Sequence, residues 1–218
     1  MTHTNNFNTA PEPYREQSLN TVYELLFGDN PDLYKGVMQE PYQYPWNVLL
    51  ADTVYAADLQ KVAADPEAES RAKILAYSRL RTSGQRIAKR ELLAVIIEVG
   101  LDDGLDVLAS FQDGTARYIN HSEKLIIWET VDAQSFALSN KLFQDSISIV
   151  SKIGPWNGAR RPYPEEGNVR ISFLVSDGLY FGEGPINVLF NDALARPALQ
   201  SATELMQFLT EKVMANQK

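Results

Sequence analysis

The sequence predicts an α+β fold: a mainly antiparallel sheet of about six strands, made of a meander over residues 90–130 and a hairpin over residues 169–182, with helices packed on both faces. Three observations carry this. The pairs Asp103-Gly104, Asp113-Gly114 and Asp177-Gly178 each lie between hydrophobic runs, as the turns of tight hairpins do. From Leu92 to Ile97 both parities are apolar, so neither face of that strand can be left to water and it belongs in the middle of a sheet. Around the strands stand segments whose apolar residues recur three and four apart, the spacing of helices lying on a sheet.

Taken in order, residues 1–13 are polar with Pro11 and Pro13 and read as a disordered tail, and residues 14–218 as a single α+β domain. A helix begins near Arg15: Leu19, Val22, Tyr23 and Leu26 form one stripe, and Gly28 stops it. The stretches Asn30–Tyr34 and Glu40–Trp46 hold three prolines and four aromatics, too proline-rich for regular structure and too aromatic for a solvated linker. Tyr34, Tyr42, Tyr44 and Trp46 therefore either pack over the sheet or first helix, or form an interaction surface. Val48–Leu50 suits a short strand, and Leu59, Val62 and Ala63 a short helix capped by Asp58. The next helix is expected from an Asp65 cap and Pro66 to Gly84. Its basic residues Arg71, Lys73, Arg79 and Arg81, with Arg86, Lys89 and Arg90 beyond, read as a solvated face, the alternative being a contact for an anionic partner.

In the meander, strands are expected near 90–99, 105–112, 115–120 and 123–130, joined by type I′ turns at the two Asp-Gly pairs and a third turn at Asn120–Ser122. Alternation points Leu93, Val95, Ile97 and Val99 one way and Leu92, Ala94 and Ile96 the other. The second and third strands carry Asp106, Ser110, Gln112 and Arg117 and read as half-wet, nearer an edge. A long helix follows from Asp132 or Ser135 to about Lys152, with Phe136, Phe143, Ile147 and Val150 as one stripe that Leu142 and Ile149 widen into a broad sheet-facing side. After the long loop 154–168 come strands at Val169–Ser176 and Leu179–Gly182, a break at Gly182–Pro185, a further strand at Ile186–Phe190, and a last helix from about Arg196 to Met214. The helices 132–152 and 196–214 are expected on one side of the sheet and the N-terminal helices on the other. A meander followed by a long helix, over Arg90–Lys152, resembles in architecture the profilin and roadblock type of sensor and scaffold domain. It shares no motif with them, and such architecture does not fix function.

Composition narrows the chemistry. The absence of cysteine removes thiolate nucleophiles, disulfides and zinc–sulfur or iron–sulfur sites, and fits a reducing compartment. A net charge of −8 opposes a broad nucleic-acid or anionic-membrane surface. No signal-peptide core and no run of about 20 apolar residues is present, so a soluble, cytoplasmic protein is expected. Only two histidines occur, His3 in the tail and His121 in a turn, too few for a usual zinc or non-haem iron site, and no cofactor or metal is expected. His121 reads as an exposed turn residue, and Asp102, Asp103 and Asp106 as turn formers, since the twelve-residue calcium-loop pattern is missing. There is no nucleophile elbow, P-loop or dinucleotide fingerprint. Glu98 closes an apolar row; at a strand end it is expected to reach water, and if buried its pKa would rise or it would need a cation such as Arg117 or Arg170.

Two function classes remain. The first is a non-enzymatic binding or interaction module, with a protein partner or a second copy of itself, because the usual catalytic residues are missing. The second is a small-anion binder or enzyme using the 154–168 loop. There Trp156, Arg160, Arg161 and Tyr163 could clasp a carboxylate or phosphate with a ring for stacking, aided by Glu98 or Asp177. The bland alternative is a loop stapled down by Trp156, its arginines paired with Glu165 and Glu166.

Overall fold

The computed structural model describes residues 12–215, so most of the expected tail over residues 1–13, and His3 with it, lies outside the described residues. The strands are β1 (Leu92–Leu101), β2 (Gly104–Phe111), β3 (Ala116–Ile119), β4 (Leu125–Trp128), β5 (Asn168–Val175) and β6 (Gly178–Pro185). They form one antiparallel sheet in the order β4-β3-β2-β1-β5-β6. β1 is interior, as its two apolar faces require. A register shift between Leu92 and Ala94 changes which residue faces where: Leu92 joins the core of Val95 and Ile97, while Leu93 joins that of Ala94 and Ile96, the reverse of simple alternation.

The Asp-Gly pairs stand at the hairpins, but not as type I′ turns, which need positive φ at both central residues. Only Gly104 and Gly114 adopt it; neither their aspartates nor the Asp177-Gly178 pair does. At Asp113 the carboxylate accepts from the amide and hydroxyl of Thr115, at 3.0 and 2.8 Å, and from the Ser70 amide at 2.7 Å, a side-chain solution to the same turn. β2 and β3 are interior strands rather than half-wet ones. Their polar groups are met inside the protein, Ser110 by Ser139 and Arg117 by Glu129 and the Ala116 carbonyl.

On one face lie α1 (Gln17–Leu25), α2 (Pro31–Val37), α3 (Trp46–Leu49), α4 (Ala56–Ala64) and α5 (Ser70–Thr82), over a core that includes Tyr23, Leu49, Leu75, Leu80, Leu93 and Ile96. Several expectations change here. The proline-rich stretch does hold regular structure, because Pro31 takes the first helical position behind an Asn30 cap whose side chain accepts from the Asp32 amide. Val48 and Leu49 close a short helix that Leu50 caps, instead of a strand, and Asp58 sits in the first turn of α4 rather than capping it. α5 starts at Ser70: Asp65 closes a turn on the Glu67 amide instead of opening the helix. Nor are the basic residues a uniformly solvated face, since Arg79 donates to the carbonyls of Leu49 and Ala51, and Arg81 to that of Ser176.

On the opposite face lie α6 (Ala133–Val150), α7 (Ile186–Leu189) and α8 (Ala195–Ala215), over a core with Val95, Ile97, Leu142, Phe173, Leu199 and Leu205. Asp132 and Ser135 together form the capping box that starts α6. β6 runs on through Pro185, where its edge position spares it a missing amide, and Ile186–Leu189 is a helical turn rather than a strand. Among the described residues no helix is long and apolar enough to cross a membrane.

Candidate functional site

The long loop after α6 closes over the end of β1 and β5, where charge is buried. Glu98 of β1 is fully enclosed. It does not reach water, because α1 and the loop cover that end of the sheet. Its Oε1 accepts from the Tyr23 hydroxyl at 2.7 Å, its Oε2 from the Ser172 hydroxyl at 3.4 Å, and Arg170, its cross-strand neighbour on β5, lies 3.7 Å away. Arg170 also donates to Glu183 of β6 at 2.9 Å and to the loop carbonyls of Arg161 and Pro162. Burial pushes the Glu98 carboxyl above the ordinary carboxylate range, against the pull of Arg170 and the Tyr23 hydroxyl. The Tyr23 phenol is raised as well, by burial and by Glu98. Of the two cations expected for a buried Glu98, Arg170 is the one that meets it; Arg117 serves Glu129.

Arg160 and Arg161 are adjacent and differently employed. Arg160 reaches back to α1, pairing with Glu24 and with Asp29 at 3.4 Å, its guanidinium 4.0 Å above the Phe27 ring. Arg161 lies over the rings of Trp156 and Phe181, at 5.2 and 5.4 Å, with no carboxylate partner among the described residues. Trp156 holds the loop to the β6 edge through its amide, 2.7 Å from the Leu179 carbonyl, and its ring meets Phe181 edge-on at 5.3 Å. Tyr163 is half-buried against the helical core. The loop is thus stapled by Trp156, but its arginine pairs with Glu24 and Asp29 rather than with Glu165 and Glu166. Asp177, at the β5–β6 turn, holds Arg90 at 3.3 Å and the Tyr180 hydroxyl at 3.0 Å.

The aromatic stretch turns largely inward. Tyr34 is buried, stacked on Trp46 at 4.9 Å and donating to the Leu25 carbonyl; Tyr42 and Trp46 pack on the core, and Tyr44 alone of the four is exposed, donating to Asp65. His121 is more engaged than a free turn residue: its amide and Nδ1 meet Asp106 Oδ1 at 2.7 and 2.9 Å, and the Tyr118 hydroxyl donates to Oδ2. That contact with Asp106 raises the His121 pKa. Among the described residues no three histidine, aspartate or glutamate side chains gather as a metal site would need.

Sequence reasoning missed the outer side of α6. The helix buries Ser135, Ser139, Leu142, Ser146 and Ile149, so small serines let it lie close to the sheet and α8. Phe136 and Ile147, assigned to the core by their spacing, are instead 45% and 55% exposed, and Phe143 is only half-buried. The only ionisable side chains of α6 are Lys141 and Asp145, and both are turned to α8, bonding Glu204 at 2.8 Å and Ser201 at 2.6 Å. What remains outside is an uncharged row, Phe136, Asn140, Phe143, Gln144 and Ile147, about 16 Å long at 1.5 Å per residue. Beside it runs a groove of about 500 Å³ floored by Leu92 and Val175, with Lys89, Arg90 and Glu91 along its rim. Of the expected side, Leu142, Ile149 and Val150 are buried as predicted; the missed signal is the serines at Ser135, Ser139 and Ser146, which share their side of the helix and shift its buried centre away from Phe136 and Ile147.

No protein-family model matches the chain, and no curated protein is similar to it in sequence beyond chance.

Proposed function

We propose that this protein is a non-enzymatic interaction module that associates with a second copy of itself through the outward face of α6. The observation that carries this is the uncharged, partly apolar row from Phe136 to Ile147 on a chain of net charge −8. Two such chains repel through most of their surfaces, and a helix row with no ionisable side chain of its own, bordered by Lys89, Arg90 and Glu91, is where they meet at least cost. A two-fold arrangement would set Phe136 of one copy near Ile147 of the other, with Asn140 and Gln144 available for hydrogen bonds across the axis. A passive role also fits the buried charges, which are spent on one another: Glu98 is sealed from solvent and Arg160 is held by two acids.

Sedimentation equilibrium tests it. The expected result is a concentration-dependent dimer that Phe136→Glu with Ile147→Glu converts to monomer, while stability changes by less than about 0.5 kcal/mol, as for surface substitutions. A dimer that survives both glutamates, or a wild-type chain that stays monomeric to sub-millimolar concentration, would remove the reading. A second reading rests on Arg161, whose exposed guanidinium stacks on two rings without an acid beside it. It makes the loop a site for small anions, read out as thermal stabilisation by phosphate or a dicarboxylate that is lost in Arg161→Ala.

A further inference from the structure

Between the sheet and α8 lies a small open cavity of about 70 Å³ whose walls are apolar, among them Ile97, Leu108, Phe190 and Met206. Three polar residues line it, Asp106, Tyr118 and Thr203, and each has already committed what protons it carries. The Tyr118 hydroxyl donates to Asp106 Oδ2 at 2.9 Å, and Thr203 Oγ1 donates to the Leu199 carbonyl at 2.9 Å. Asp106 Oδ1 is taken up by the His121 amide and ring, whereas Oδ2 has that single tyrosine bond. All the hydrogen-bonding capacity left in these side chains is therefore acceptor capacity, one acceptor is a carboxylate, and no lysine, arginine or histidine lines the cavity.

We propose that this cavity is a binding site for a small primary amine with a short branched alkyl tail. The tail fills the space under α8, and the ammonium donates to Asp106 and to the oxygens of Tyr118 and Thr203. A carboxylate of the same carbon skeleton is excluded, because it brings only acceptors and a like charge to Asp106. This site is separate from the outer face of α6, so it stands or falls independently of self-association.

The test follows the Met206 methyl resonance of the full chain during titration with isobutylamine, isobutanol and isobutyrate. Isobutylamine is expected to shift it saturably and to bind at least about tenfold more tightly than isobutyrate, the scale of one charge-assisted hydrogen bond. Ala202→Leu, which fills the cavity, should abolish binding. Thr203→Val should weaken the amine by roughly threefold or more with the fold intact, consistent with loss of one acceptor. Asp106→Asn, if it folds, should weaken isobutylamine more than isobutanol. The proposal is overturned by the absence of a saturable shift, by isobutyrate binding as well as the amine, or by amine binding that persists in Ala202→Leu or is unchanged in Thr203→Val.

Discussion

Arg160 and Arg161 are chemically identical neighbours that the fold separates by function. The Arg160 side chain is 19% exposed, shared by Glu24 and Asp29 and laid on Phe27, so Arg160→Ala removes an ion pair, a cation–π contact and the packing of a long stem together. After allowing for the partly exposed carboxylates, a loss of about 2 kcal/mol is expected, against under about 1 kcal/mol for Arg161→Ala, measured by urea unfolding. Equal losses would contradict the division. Glu98 gives a pH signature of known sign. Its folded pKa lies above the unfolded value, so the folded state holds this proton where the unfolded state has released it. The contribution is fully present below the ordinary glutamate pKa and is lost as pH rises through the raised one. Glu98→Gln cannot titrate and should flatten the decline in stability from about pH 4.5 upward, relative to wild type. A slope identical in both proteins would show that Glu98 is not the group responsible. The burial was not visible from residue type, although Arg170 was legible as a cation that a buried Glu98 would need: a glutamate at a strand end reads as wet until α1 and the loop are known to lie on top of it.

At the scale of elements, the loop after α6 and the strand beneath it fit through Gly100. A Cβ there would run into the carbonyl oxygens of Pro164 and Glu165, backbone atoms that cannot swing aside, while the Gly167 amide donates to the Gly100 carbonyl at 2.9 Å. Gly100→Ala is expected to cost about 1–3 kcal/mol, as overpacking does, and to expose the 154–167 segment to limited proteolysis before global unfolding. Unchanged proteolysis would mean the loop is not seated on β1 as described. Element identity was largely legible in the sequence, from the hairpins to the two long helices and the side of the sheet on which they lie. Element facing was less so. Phe136, Phe143 and Ile147 have faultless helical spacing, yet an apolar side that also holds Leu142 and Ile149 is too broad to be covered whole; contact with the sheet and α8 selects the part that includes Ser135, Ser139 and Leu142. The short helices α2 and α3 were hidden for a different reason. Proline disrupts a helix interior but is tolerated at its start, as Pro31 at the first position of α2 and Pro45 just before α3 show, and in segments this short nearly every position is an end.

For the molecule as a whole, β1 joins two cores that lie on opposite faces of one sheet, with Ala94 and Ile96 in one and Val95 and Ile97 in the other. Ile97 is 6% exposed, packed in the core under α8 and at the wall of its cavity. Ile97→Asp would place an unpaired charge there at a cost of several kcal/mol, comparable with the whole stability of an ordinary domain. Circular dichroism should show loss of the cooperative melt, and a normally melting variant would contradict the central placement of β1. The amino-acid sequence by itself determined that placement, the antiparallel hairpins and the division of helices between the faces, because hydrophobic periodicity and turn residues are local and the sheet has few ways to satisfy them. Only the tertiary structure decided that Glu98 is sealed beneath α1, that adjacent arginines have different partners, and that one apolar stripe of α6 faces outward. Those outcomes depend on which distant segment supplies the covering surface or the countercharge, and no local pattern encodes it.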